Sequence, residues 1–250
     1  MQDQIIKRII HIFIAIFITI LIATIIALLI LKYNVEGEDN LPFELSKIMV
    51  ISTGEGEDIE EEQTENKWNL EIVQNNDIYL EISKNKNYEE IEIIDQIIID
   101  NLQVIEAPNI GTIKLYKPTQ KENMTYENNE ENEIKEKLEY TGKESTSIKN
   151  LEIANQGGLI LFRYAIEDLG VYTSNADEVK HDGTILKAQN IEYKDIQCKI
   201  SFDISIKLKS DMIYTGTVEL DLPTGNIMEE GTSHYEKTDL KEIIFRRNLR

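Results

Sequence analysis

The hydrophobic pattern of the chain changes once, near residue 32. From Ile9 to Leu31 the sequence reads IIHIFIAIFITILIATIIALLIL, with His11, Thr19 and Thr24 its only polar side chains. Those 23 residues rise roughly 34 Å as a helix at about 1.5 Å per residue, enough for a hydrocarbon core of about 30 Å. β-branched Ile is a mediocre helix former in water, but lipid leaves the backbone amides no other partner. A cleaved leader has a shorter apolar core and a small-residue cleavage site. Here Ala23 and Ala27 lie inside the run, and Lys32-Tyr33-Asn34-Val35 offers no small pair. The pattern therefore predicts an uncleaved transmembrane helix over 9–31, in contact with the lipid bilayer. Lys7, Arg8 and the amino terminus precede it, and Lys32 and Lys47 follow among the acids Glu36, Glu38, Asp39 and Glu44, a slight bias. Basic residues near the ends set orientation, so the expectation is a short cytoplasmic tail (1–8) and an extracytoplasmic bulk. With eight residues before Ile9, a cytoplasmic output domain is not expected.

After a polar stalk (32–41) the period becomes two, the spacing of strands. Ile200, Phe202, Ile204, Ile206 and Leu208 alternate with Ser201, Asp203, Ser205 and Lys207. The chain turns at Ser210-Asp211, and Tyr214, Gly216, Val218, Leu220 and Leu222 alternate with Thr215, Thr217, Glu219 and Asp221. This predicts a hairpin with one buried face. A second hairpin is expected from Trp68–Ile72 and Ile78–Ile82, joined by turn chemistry at Gln74-Asn75-Asn76-Asp77. Other predicted strands are 47–52, 91–99, 102–105, 113–116, 151–154 and 243–246. Leu159–Ile166, apolar on both faces after Gly157-Gly158, reads as a central strand. Ten to twelve short strands point to antiparallel β-sandwich packing. Residues 121–139, nearly all Glu, Asn and Lys, read as an acidic linker or long loop, with one helical turn near Ile134–Leu138. The predicted fold is thus mainly β. Two small sandwiches, a membrane-proximal domain (42–120) and a distal one (140–250), are expected, with a single larger sandwich as the alternative.

Charge narrows the partners. The chain has 26 bases and 46 acids. Setting aside residues 1–32 removes three bases and one acid, leaving 23 against 45 and a net charge of −22. Such a surface repels nucleic acid and anionic headgroups, and permits divalent cations and basic partners without requiring them. With Cys198 the sole cysteine, no intramolecular disulfide is possible.

Candidate chemistry is sparse. His11 lies near one end of the span without a relay partner. His234 is placed in a polar loop. Asn175–Gly183, which contains Asp177, His181 and Asp182, could collect ligands around a divalent ion. Val179 and Lys180, however, stand where an EF-hand needs an oxygen ligand and a glycine. The acidic runs Glu57–Glu62 and Glu127–Glu133 read as solvated and mobile. Cys198 is expected as a half-exposed strand cysteine on the face opposite Ile200 and Phe202. Gly54 and Gly56 read as a turn or flexible loop, with Glu57-Asp58 repelling any phosphate. Leu222-Pro223-Thr224-Gly225 looks like a sortase signal lacking one residue, and the polar tail after it argues against that use. Phe245–Arg250 is the one basic cluster, expected to fold back on the acidic surface, with contact to an anionic wall polymer or partner as the alternative. No serine-hydrolase, β-lactamase or zincin motif occurs. No catalytic, cofactor-binding or metal residue is therefore assigned, and no cofactor is expected.

Three stretches, Asn150–Arg163 (NLEIANQGGLILFR), His181–Lys187 (HDGTILK) and Leu222–Ile227 (LPTGNI), resemble uncharacterised single-pass membrane proteins of Firmicutes. The resemblance implies an anchored envelope protein and transfers no functional residue. The leading expectation is a non-enzymatic binding or envelope-assembly module, its partner an envelope protein or wall polymer. A wall-polymer enzyme using carboxylates such as Asp177 and Asp182 is the alternative, with a single-pass accessory subunit of a membrane complex as a third reading.

Overall fold

The computed structural model describes residues 2–59, 68–121, 123–144, 148–175 and 183–248. They fall into two compact units, Met1–Asn40 and Leu41–Arg250.

The first unit is a single helix, α1 (Gln2–Glu36). Over Ile6–Asn34 it is long and apolar enough to cross a membrane. Its large apolar side chains are exposed around the whole circumference, whereas a helix on a soluble core has one apolar stripe. The polar atoms of the run turn to the helix's own carbonyls. The Thr19 and Thr24 hydroxyls donate to Ala15 and Ile20, each at 2.9 Å, and His11 Nδ1 lies 2.5 Å from the Lys7 oxygen. The polar groups of this apolar stretch are thus satisfied within the helix.

The second unit is mainly β. Its strands are β1 (Phe43–Asp58), β2 (Trp68–Lys84), β3 (Ile94–Glu106), β4 (Thr112–Tyr116), β5 (Leu138–Lys143), β6 (Glu152–Ala154), β7 (Gly157–Glu167), β8 (Val171–Ser174), β9 (Cys198–Leu208), β10 (Ile213–Leu222), β11 (Thr232–Lys237) and β12 (Arg246–Arg247). Short helices α2 (Thr184–Ala188), α3 (Tyr193–Ile196) and α4 (Ile227–Glu230) sit between the later strands. The strands form two six-stranded sheets. One runs β11-β1-β2-β7-β4 with β8 beside β2, and the other runs β12-β10-β9-β3-β5-β6. Every pairing is antiparallel except β5 with β6.

One apolar core joins the facing sides. Ile48, Val50, Ile78, Leu80, Phe162 and Tyr164 of the first sheet belong to the same buried cluster as Ile97, Ile99, Tyr140, Phe202, Ile204 and Val218 of the second. Phe162 meets Phe202 edge to face, with centroids 5.2 Å apart. Each such side chain contributes about 1.5–3 kcal/mol on burial. The predicted hairpin is present as β9–β10, with Asp211 at its turn in the left-handed region (φ 64°). β7 is central, between β2 and β4.

Several expectations need correction. Both sheets take strands from either side of 121–139, and Leu41–Arg250 is one compact unit. That segment is therefore not a boundary between two sandwiches. The second hairpin is absent: Trp68–Lys84 is one strand, and Gln74–Asn76 lie fully buried in its middle. Their polarity is absorbed by hydrogen bonds described below, so the polar run did not turn the chain. β2 pairs instead with β1 along almost its whole length. Gly54 and Gly56 are inside β1, not in a loop. A Cβ on either would approach to 2.8 Å the Cδ1 of Leu186 or Leu70 respectively, so these positions serve close packing. Residues 102–105 continue β3, separated from its first half by irregular register and by Asn101 at φ 49°. Of the expected strand 243–246 only Arg246 is in a strand, the two-residue β12 (Arg246–Arg247).

Candidate functional site

The polar residues of β2 divide by strand parity. Gln74 and Asn76 point into the core, where they bond to each other (Nδ2 of Asn76 to Oε1 of Gln74, 2.9 Å; Nε2 of Gln74 to Oδ1 of Asn76, 3.0 Å). Asn76 also accepts from the Ser52 hydroxyl at 2.7 Å and donates to the Tyr164 carbonyl at 3.2 Å. Ser52 continues the chain to Thr224, and Thr224 to Ser233. Thr224 belongs to the supposed sorting remnant, whose role is thus internal. A buried network with its members satisfied fixes register rather than offering a site.

Asn75 and Asp77 point the other way, onto the outer face of the first sheet. There Arg163 of β7 holds Asp77 in a two-pronged ion pair (2.6 and 3.1 Å), with both side chains largely buried. The cover is the acidic segment itself. Tyr126 lies 4.5 Å from the Arg163 guanidinium, and Asn128 bonds Arg163, Glu57 and Asn75. Tyr126, Tyr79, Tyr116, Leu161 and Ala165 form a second buried cluster. The same segment closes the edge of β4: Ile134 N donates to Leu115 O at 2.7 Å and Lys117 N to Asn132 O at 2.9 Å. Asn132, Ile134 and Leu138 are buried, and no helical turn forms at 134–138. The run Glu127–Glu133 is therefore a strap tied to the sheet through Asn128 and the buried Asn132, while Glu127, Asn129, Glu130 and Glu131 stay exposed as a solvated face. Glu57, beneath it, has its carboxyl raised by burial and by nearby Glu167.

At the end of the strap, Lys121 extends over the Tyr140 ring (5.0 Å) and donates to the Glu152 carbonyl at 2.5 Å. Burial lowers this ammonium to about 8. It borders a cleft of about 490 Å³ whose other walls include Lys149, Asn123 and Asn150. Its bonds anchor the strap to the second sheet.

The second sheet has the opposite character at β10. Along that edge β12 pairs only with Tyr214 and Thr215. Beyond them no strand follows among the described residues, and two clefts, about 490 and 310 Å³, flank the edge instead. Both are bordered by Glu219, Asp221 and Lys237, and Tyr193 and Tyr235 line the second. Glu219 pairs with Lys199 at 2.7 Å and Lys237 with Glu242. Asp221 has no ion-pair partner among the described residues.

The remaining candidates fall as follows. Asp177, His181 and Asp182 lie outside the described residues, as do residues 60–62 of the first acidic run and Leu249–Arg250. His234 is exposed on β11 opposite Ile51, not in a loop. Cys198 is buried with Ile200 and Phe202, on their face. Residues two apart on a strand share a side, so the half-exposed reading was wrong in phase. Burial pushes its thiol up to about 12. Phe245 packs against Gly216 and anchors the C-terminal stretch. Among the described residues no group of three or more His, Cys, Asp or Glu is placed to hold a metal ion. The β10 edge carried no sequence signal, because its amide groups are free only by virtue of where β12 ends.

Comparison with known proteins finds no matching family model, no matching curated protein and no matching solved structure.

Proposed function

We propose that this chain is a membrane-anchored, extracytoplasmic binding or assembly module of a bacterial cell envelope, without catalytic activity of its own. The observation that carries the reading is the pairing of a helix apolar on all sides with a separate compact β unit. A helix of that composition has no favourable surroundings in water but is stable in lipid. We read the β unit as a single sandwich, since both sheets share one core. The amino terminus, Lys7 and Arg8 before the span, against Lys32 and Lys47 after it, support a cytoplasmic N-terminus, and the β unit is then extracytoplasmic. Its acidity directs it toward basic partners or cation-bearing polymers.

The test is protease accessibility on intact cells, with a tag at the C-terminus. The reading expects loss of the tag without lysis and retention of the N-terminal fragment in the membrane fraction. Protection until lysis would refute the orientation, and recovery of the chain in the soluble fraction would refute the anchor.

A further inference from the structure

We infer that the open edge of β10, from Thr217 to Asp221, is a strand-addition site for an extended basic segment of a partner protein, an inference that rests on the binding-module reading above. The argument begins with backbone parity. In an antiparallel ladder the N–H and C=O of one residue point to the same side, and successive residues alternate. Asn248 N donates to Ile213 O at 2.9 Å, which puts Ile213 on the β12 side, while Leu208 N donates to Met212 O at 2.9 Å, which puts Met212 on the β9 side. Thr215, Thr217, Glu219 and Asp221 follow Ile213. Thr215 is served by β12. Thr217, Glu219 and Asp221 direct their amides and carbonyls outward with no backbone partner among the described residues.

The surroundings fit an added strand. β12 begins the next row of the sheet, and the clefts beside Glu219 and Asp221 continue along that row. Strand addition draws affinity from such main-chain groups and specificity from alternating side-chain contacts.

Charge selects the occupant. A second copy adding antiparallel would bring Glu219 and Asp221 against their own like charges, which is how acidic edges discourage self-pairing. A basic strand converts the same carboxylates into attraction. Asp221 is the one in no ion pair among the described residues: Lys199 pairs with Glu219 and acts on Asp221 only at longer range. The net −22 of the domain adds long-range steering toward a positive partner.

The probe is a synthetic peptide alternating Lys and Val, with a control in which Glu replaces Lys. Each is added to the full chain in lipid nanodiscs, with residue-resolved amide exchange as the readout. The basic peptide is expected to slow exchange at Thr217, Glu219 and Asp221 at least tenfold and to leave Val218 and Leu220 unchanged; the acidic peptide does neither. Glu219→Pro removes an outward N–H without touching the β9 ladder. It is expected to weaken peptide binding at least tenfold at unchanged Tm. Asp221→Lys is expected to shift preference toward the acidic peptide. Basic-peptide binding without the alternating pattern would mean diffuse charge attraction and would overturn the proposal. Protection of the same three amides by raising protein concentration alone would make the occupant a second copy, overturning it equally. Either failure leaves the tethered-module reading intact, because protease accessibility tests that reading separately.

Discussion

The two sheets treat their exposed edges in opposite ways. At β4 the chain spends an Asn- and Glu-rich segment on closure. Ile134 and Lys117 complete the edge, Tyr126 covers Arg163, and Asn128 links three side chains beneath. At β10 the only paired strand on that edge among the described residues is Arg246–Arg247, and Thr217–Asp221 border clefts walled in part by Lys237, Glu242 and Ile243. The closed edge lies beside a buried ion pair that water would weaken, whereas the open one presents carboxylates that need no burial. A polar, low-complexity stretch can thus close a sheet edge through a few specific side chains, and a regular amphipathic strand can be the part left available.

The comparison can be broken most severely beneath the strap. Asp77→Ala leaves Arg163 buried without its carboxylate, and the expected loss is about 3–5 kcal/mol, read by denaturant titration of the full chain in detergent. A loss below about 1 kcal/mol would mean that the strap does not exclude water. Tyr126 separates packing from polarity. Tyr126→Ala is expected to cost about 3 kcal/mol through lost ring burial. Tyr126→Phe is expected to be neutral or stabilising, because the hydroxyl is buried without a hydrogen-bond partner among the described residues. Equal losses for both substitutions would contradict this division.

Cys198 sharpens the comparison on the inner side of the second sheet. With its thiol raised to about 12 by burial, the native chain is expected to resist alkylation at pH 8 and to react in denaturant. Fast native labelling would mean that the end of β9 opens readily.

The smallest expected effect is on pH. Burial raises the carboxyls of Glu57, under the strap, and of Asp100, on β3, with Glu167 and Asp203 adding like charge. The folded state then holds more protons than the unfolded state just above the ordinary carboxylate range, so these groups make stability fall as pH rises through that window. Tm is expected to rise on going from pH 7 toward pH 5, and Glu57→Gln to flatten the rise. A falling Tm over the same interval would reverse the sign.

Period and composition carried much of the fold: the apolar helix, the β9–β10 hairpin and the central β7 follow from spacing alone. Gln74–Asp77 misled because turn residues inside a sheet are tolerated once each finds a partner, and those partners (Ser52, Tyr164, Arg163) lie far away in sequence. The strap was illegible for the same reason: Tyr126 and Asn128 acquire their meaning only from the face they cover. β11 escaped notice because Ser-His-Tyr-Glu-Lys shows no apolar alternation, and its pairing with β1 depends on main-chain bonds. The position of the candidate site was not legible in the sequence. Acidity permitted a basic partner without requiring one, while the open amides depend on how few residues of β12 pair with β10.

The most direct test of the contrast between the edges is amide exchange on the free, full-length protein. The account predicts slow exchange at Lys117 and Ile134, fast exchange at Thr217, Glu219 and Asp221, and slow exchange at Val218 and Leu220 between them. Uniform protection along β10, or rapid exchange at Lys117 and Ile134, would contradict it.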